Sequence, residues 1–178
     1  MYKLLIVAGF LAISPISADQ AAITPHMPAS QVKSLLTIAS QLSGYSIPAD
    51  VPLPIIQEVS AAQMALEACG SDDPLTVMAC PVVGSTDEDG NIEVNFEALI
   101  RPGVSKSLNA VTVHELVHWL QVMHHKASGS RTYCPDRFLV EYEAYEAESK
   151  YQVIYEGKEQ PDGVMVAPTF CPTPPGSV

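Results

Sequence analysis

Hydrophobic positions along this chain fall into helical and extended patterns punctuated by glycine and proline. Val32, Leu35, Leu36, Ala39 and Leu42 follow the 3.6-residue period of one helix face, with Ser30 as the expected cap and Gly44 as the stop. Residues 45–54 carry Pro48, Pro52 and Pro54 and read as irregular, extended chain. Residues 55–59 read as a short strand. Ser60 and Gln63 then form a capping-box pattern ahead of a short helix over 61–68, which Cys69 and Gly70 close. Thr76-Val77-Met78-Ala79-Cys80, continued by Val82 and Val83 beyond Pro81, reads as a strand near a sheet edge. It pairs as a β-hairpin with the alternating Asn91-Ile92-Glu93-Val94-Asn95 across the turn at Asp87-Glu88-Asp89-Gly90. That acidic turn lacks the remainder of an EF-hand loop and reads as solvated.

Two longer helices follow. The first, capped by Ser105 or Ser107, runs through His114 and His118 to about His124, with Leu108, Val111, Leu116, Trp119, Leu120 and Met123 facing the core. His124 and His125 are expected exposed at its end, where positive charge is favoured. A flexible connection over 126–133 leads to a second helix that starts near Pro135 or Asp136 and stops at Gly157. Five prolines (Pro161, Pro168, Pro172, Pro174 and Pro175) make residues 158–178 an extended tail. The fold class expected is α+β, in one domain over residues 19–157.

The first 18 residues change the compartment. Lys3, an uncharged run over 4–13 and the small residue Ala18 before Asp19 describe a secretory signal peptide. The run is too short for a bilayer span, which needs about 20 residues. Cleavage takes Lys3 away, leaving 8 of the 9 basic side chains against all 20 acidic ones. Such a surface repels nucleic acid and anionic lipid, so neither is expected as a partner. The expected location is periplasmic or secreted. There, Cys69, Cys80, Cys134 and Cys171 allow three disulfide pairings. We expect Cys69–Cys80, which closes a short loop, and Cys134–Cys171, which pins the tail. Cysteine ligation of zinc is the rival reading, but no C-x-x-C is present.

Chemistry concentrates in Val113-His114-Glu115-Leu116-Val117-His118-Trp119-Leu120, an H-E-x-x-H sequence inside a helical pattern. Positions four apart share a helix face, so His114 and His118 can offer two imidazole nitrogens to one zinc ion. Glu115, offset around the helix, can take the proton of a water that zinc makes acidic. A catalytic zinc site takes three protein ligands and keeps one position open. No histidine follows at the H-E-x-x-H-x-x-G-x-x-H spacing, so a carboxylate from the next helix is the alternative. Glu141 and Glu143 both qualify, and they point about 160° apart, so only one can face the metal.

Here the chain resembles the gluzincin superfamily of zinc metallopeptidases, which pair an H-E-x-x-H helix with a glutamate, often in E-x-x-A, on the following helix. The matching residues are His114, Glu115, His118, Glu141 and Ala144. The likeness is greatest to small exported bacterial members, and it covers about residues 105–155. It implies a compact zincin-like fold, zinc bound by His114, His118 and Glu141, Glu115 as general base, and a peptide or protein substrate laid along the hairpin's edge strand. The small Ala144 would let the two helices approach. The chain departs from the family where an aspartate usually follows the ligand glutamate by four: Tyr145 stands there, leaving the carboxylate that orients a zinc histidine missing from its place. Tyr145 or Tyr142 offers the further donor that a developing oxyanion needs. Two other readings are a zinc-containing domain that binds a peptide or partner without turnover, and a metal-free secreted structural domain.

Overall fold

A computed structural model describes residues 27–100, 106–128 and 137–159. The expected leader, the break at Arg101-Pro102-Gly103, Ser105, the connection beyond residue 128, the Cys134–Cys171 pair and the tail from residue 160 lie outside the described residues. So do Pro135 and Asp136.

The first helix, α1 (Ala29–Ser43), begins two residues earlier than the expected Ser30 cap implies. The Pro28 carbonyl accepts from the N–H groups of Gln31 and Val32, so Ser30 sits inside the first turn and cannot cap it. Gly44, at φ 82°, ends the helix as expected. The strand β1 (Ile56–Glu58) and helix α2 (Ala61–Cys69) also lie where the pattern puts them. Ser60 Oγ accepts from the Gln63 N–H at 3.1 Å, while the Gln63 amide turns to Glu67, so half of the capping box forms.

The expected strand over 76–80 is wrong. Those residues belong to a short helix, α3 (Pro74–Ala79). The Asp73 carboxylate accepts from the Leu75 and Thr76 N–H groups at 3.0 and 3.1 Å, and Pro74 supplies a ready-made first helical φ. A cap of this kind outweighs the weak β-preference of Thr76 and Val77, because no residue of α3 is buried and packing casts no vote. Cys80, just past α3, is joined to Cys69 at the end of α2, the shorter of the two expected pairings.

The hairpin lies further along the chain, as β2 (Gly84–Thr86) and β3 (Ile92–Val94). Strand order is β1-β3-β2, with β1 parallel and β2 antiparallel to β3. Gly90 in the connecting turn has φ 86°, so the backbone favours glycine there, and a Cβ would also have to push aside the Met123 methyl, 2.6 Å away. A four-residue helix, α4 (Phe96–Leu99), follows; Asn95 caps it, and the periodicity gave no sign of it.

Helix α5 (Leu108–Ser128) is capped by Ser107, whose Oγ accepts from the Ala110 N–H at 3.1 Å. Residues 110–122 are all buried, so α5 is a central helix rather than an amphipathic one with a single core stripe. It packs against α1, against α6 (Arg137–Glu156), and against β2 and β3. Ile56, Ile92 and Val94 from the sheet join Leu35 and Leu36 from α1, and Ala144 and Ala147 from α6, in one core around it. The class is therefore α+β, mostly helical with a small three-stranded sheet. No described helix is long and apolar enough to cross a membrane.

Two predictions follow from this packing. Ala144 is wholly buried at the α5–α6 contact, so Ala144→Leu should destabilise the protein by about 1–3 kcal/mol in denaturant unfolding. Glu93 on β3 is pushed up to about 7, by partial burial first and then by the neighbouring Glu67 carboxylate. A carboxyl group whose pKa is raised on folding binds more protons in the native state, so it removes stability as pH rises from its unfolded value near 4.5 toward 7. Glu93→Gln should flatten that decline, matching wild type near pH 4 and exceeding it at pH 7.5 in unfolding midpoint.

Candidate metal centre

His114 and His118 lie one turn apart on α5, facing α6, with their Nε2 atoms 3.0 Å from each other. Glu141, in the first turns of α6, brings Oε2 to 3.6 Å from His114 Nε2 and 3.5 Å from His118 Nε2. Tetrahedral zinc with ligand bonds of about 2.0–2.1 Å sets neighbouring donors about 3.3–3.4 Å apart. These three atoms form a triangle of that size, and the residues present fit the ion. The two imidazole side chains are 9% and 10% exposed and the Glu141 carboxylate 35%, so the group opens to solvent on the glutamate's side.

Proton bookkeeping favours ligation. Gln121 donates its Nε2 to the Val140 carbonyl and to Glu143 Oε2, both at 3.0 Å, which fixes the amide so that Oε1 faces His118 Nδ1 at 2.9 Å. That nitrogen must then donate, which turns His118 Nε2 toward His114 and Glu141. On His114, Nδ1 lies 3.3 Å from Glu148 Oε2, an electrostatic contact short of hydrogen-bond geometry, which likewise favours the proton on Nδ1. Two imidazole nitrogens and a carboxylate thus converge on one point.

The surrounding charges agree. Burial would lower the His114 pKa, but Glu141, Glu148 and Glu115 outweigh it and raise it to about 9. Burial would raise the Glu141 carboxyl; the two histidines instead hold it well below the usual range. Glu148 is also lowered despite burial, by His114 and by Lys106, whose Nζ lies 2.9 and 3.0 Å from its two oxygens. The carboxylates thus favour positive charge on His114, where a proton or a metal ion can supply it.

From the sequence, Glu148 has no part in the site, only a place on a solvated helix face. Tyr145 stands four residues after Glu141, and Glu148, one further turn along the same face, is the carboxylate that lies beside His114 Nδ1. Its spacing of seven from Glu141 was the available signal. Glu143 points away from the histidines, to Gln121 and to the Tyr45 hydroxyl, which donates to it at 2.8 Å. It supports His118 through Gln121 and does not join the donor triangle.

Glu115, 4% exposed, turns toward β2, where Thr86 Oγ1 donates to its Oε2 at 2.8 Å. The Tyr145 ring packs edge-on against His114, with centroids 4.4 Å apart, and Lys106 Nζ sits 4.9 Å from its centre. Burial and then the charges of Glu141, Glu148 and Glu115 raise the Tyr145 pKa, so its phenol keeps its proton. Tyr142 is 44% exposed. His124 is less free than expected: Nε2 lies 3.0 Å from the Ser46 carbonyl, and the ring tilts against Tyr45.

No protein-family model matches this chain, and no curated protein or solved structure does either. The functional reading therefore stands on the side chains themselves.

Residues that fix the histidine rings should govern affinity without governing capacity. Glu148→Gln and Gln121→Ala should each weaken zinc binding by about 10–100-fold in chelator competition, with one ion per chain still bound at saturation. Glu143→Ala should retain that stoichiometry.

Proposed function

We propose that this chain is an exported, zinc-dependent metallopeptidase with a compact gluzincin-type, zincin-like domain. The observation that carries the reading is the convergence of two imidazole nitrogens and the Glu141 carboxylate, with Glu115 as the next residue after the first histidine. The H-E-x-x-H spacing supports hydrolysis over simple metal storage, since storage has no use for that glutamate.

Zinc, when bound, supplies Lewis acidity that makes a water acidic and polarises a peptide carbonyl. His114, His118 and Glu141 hold it, with Glu148 and the Gln121–Glu143 pair keeping the rings oriented. Glu115 takes the proton of the attacking water and returns it to the leaving amine nitrogen. Tyr145, kept protonated beside His114, donates to the carbonyl oxygen as negative charge grows there. The substrate class is a peptide or protein. The uncharged segment over residues 4–13 and the Cys69–Cys80 disulfide support an extracytoplasmic site of action.

Metal analysis and one isosteric substitution test this. Purified wild type should hold about one zinc per chain, and His118→Ala and Glu141→Ala should lose it. Glu115→Gln should keep the zinc and lower kcat/KM on a peptide library by about 10²–10⁴-fold. A wild type that takes up no zinc, or a Glu115→Gln variant as active as wild type, would sink the peptidase reading.

A further inference from the structure

We propose that Gly84 and Thr86, on the edge strand β2, are positioning residues for Glu115. Thr86 anchors one carboxylate oxygen, so that Oε1 is the atom that takes up the proton, and Gly84 keeps the space that Oε1 occupies. The catalytic part of this inference rests on the peptidase reading of the site.

Strand register puts both residues over the helix. In the antiparallel pair, Gly84 lies opposite Val94 and Thr86 opposite Ile92, and both partners are fully buried in the core around α5. Residues directly opposite share a sheet face, so positions 84 and 86 face α5 while Ser85 faces away. A register slip of one residue would place Ser85 over Glu115 and remove both features at once.

The contacts are specific. Thr86 Oγ1 has one proton and two acceptors in reach: Glu115 Oε2 at 2.8 Å and the Glu115 backbone carbonyl at 3.1 Å. The shorter, charge-assisted bond goes to the carboxylate. Among the described residues no other side chain donates to Glu115, although it is almost wholly buried. Loss of the Thr86 hydroxyl therefore leaves that carboxylate without its fixing bond. On the other oxygen, a Cβ built at Gly84 would lie 2.6 Å from Oε1, 2.9 Å from Cγ and 3.0 Å from Cδ of Glu115. Gly84 is not held by a positive φ, so the requirement for glycine there is steric. The clash is with the outer part of a side chain, so an alanine is accommodated by swinging Glu115 away rather than by unfolding. The cost falls on the reaction.

The test uses full-length zinc-loaded protein with Thr86→Val, Thr86→Ser and Gly84→Ala. Crystal structures should show the Glu115 carboxylate displaced by about 1 Å or more in Thr86→Val and Gly84→Ala, and in place in Thr86→Ser. Zinc stoichiometry and thermal midpoint should stay at wild-type values in Gly84→Ala. On a peptide substrate, Thr86→Val and Gly84→Ala should lower kcat by on the order of 10²-fold with KM little changed, and Thr86→Ser should restore most of it. An unmoved Glu115 in both variants overturns the proposal. So does unchanged kcat in both, where Glu115→Gln abolishes turnover. If wild type and Glu115→Gln hydrolyse peptides equally poorly, the peptidase reading has failed, and the crystallographic position of Glu115 alone decides whether β2 fixes it.

Discussion

Helix α5 is buried along residues 110–122, and the rest of the molecule is arranged to make that burial possible. Most of the buried stretch is apolar, and its packing against α1, α6 and the sheet accounts for the core. Thr112, His114, Glu115, His118 and Gln121 are taken out of water with it. A buried polar group without a partner costs about 1–3 kcal/mol, and a charged one more. Two neighbours of α5 therefore do two things: they cover apolar surface, and they bring polar atoms to named positions. Helix α6 brings Glu141 and Glu148 to the histidines and the Val140 carbonyl to Gln121; β2 brings Thr86 to Glu115.

The outcome is a layered charge arrangement. At its centre two nitrogens and one carboxylate oxygen face each other at 3.0–3.6 Å, an unfavourable concentration of electron pairs unless a cation or proton sits among them. Around them, Glu148 is itself neutralised by Lys106, so the buried negative charge of α6 is shared between the His114 ring and an ammonium group. Tyr145 occupies the angle between His114 and Lys106, where its phenol is kept neutral. Glu141 and Glu148, seven apart on one helix, thus both approach His114. A spacing of seven returns a side chain to the same helix face, which is why both reach that ring.

What the sequence determined by itself was local. The period of α1, the helical state of α5 and α6, the glycine stops at Gly44, Gly70 and Gly157, the Ser60 cap, β1, and the pairing of Cys69 with Cys80 all depend on residues within a few turns of one another. The histidine pair with Glu115 belongs to this class, because a helix converts a spacing of four into a shared face. Where two local signals competed, the reading failed: Asp73 and Pro74 start a helix through residues whose composition favours a strand, and the hairpin moves to residues 84–94. Tertiary structure alone decided the rest. Whether Glu141 or Glu143 faces the histidines depends on the rotation of α6 against α5, which the wholly buried Ala144 and Ala147 set by close contact. Glu148 reaches His114 across 34 positions, and Thr86 reaches Glu115 across 29. No period or spacing encodes such distances, because they come from the packing of separate elements and from the register of β2 on β3.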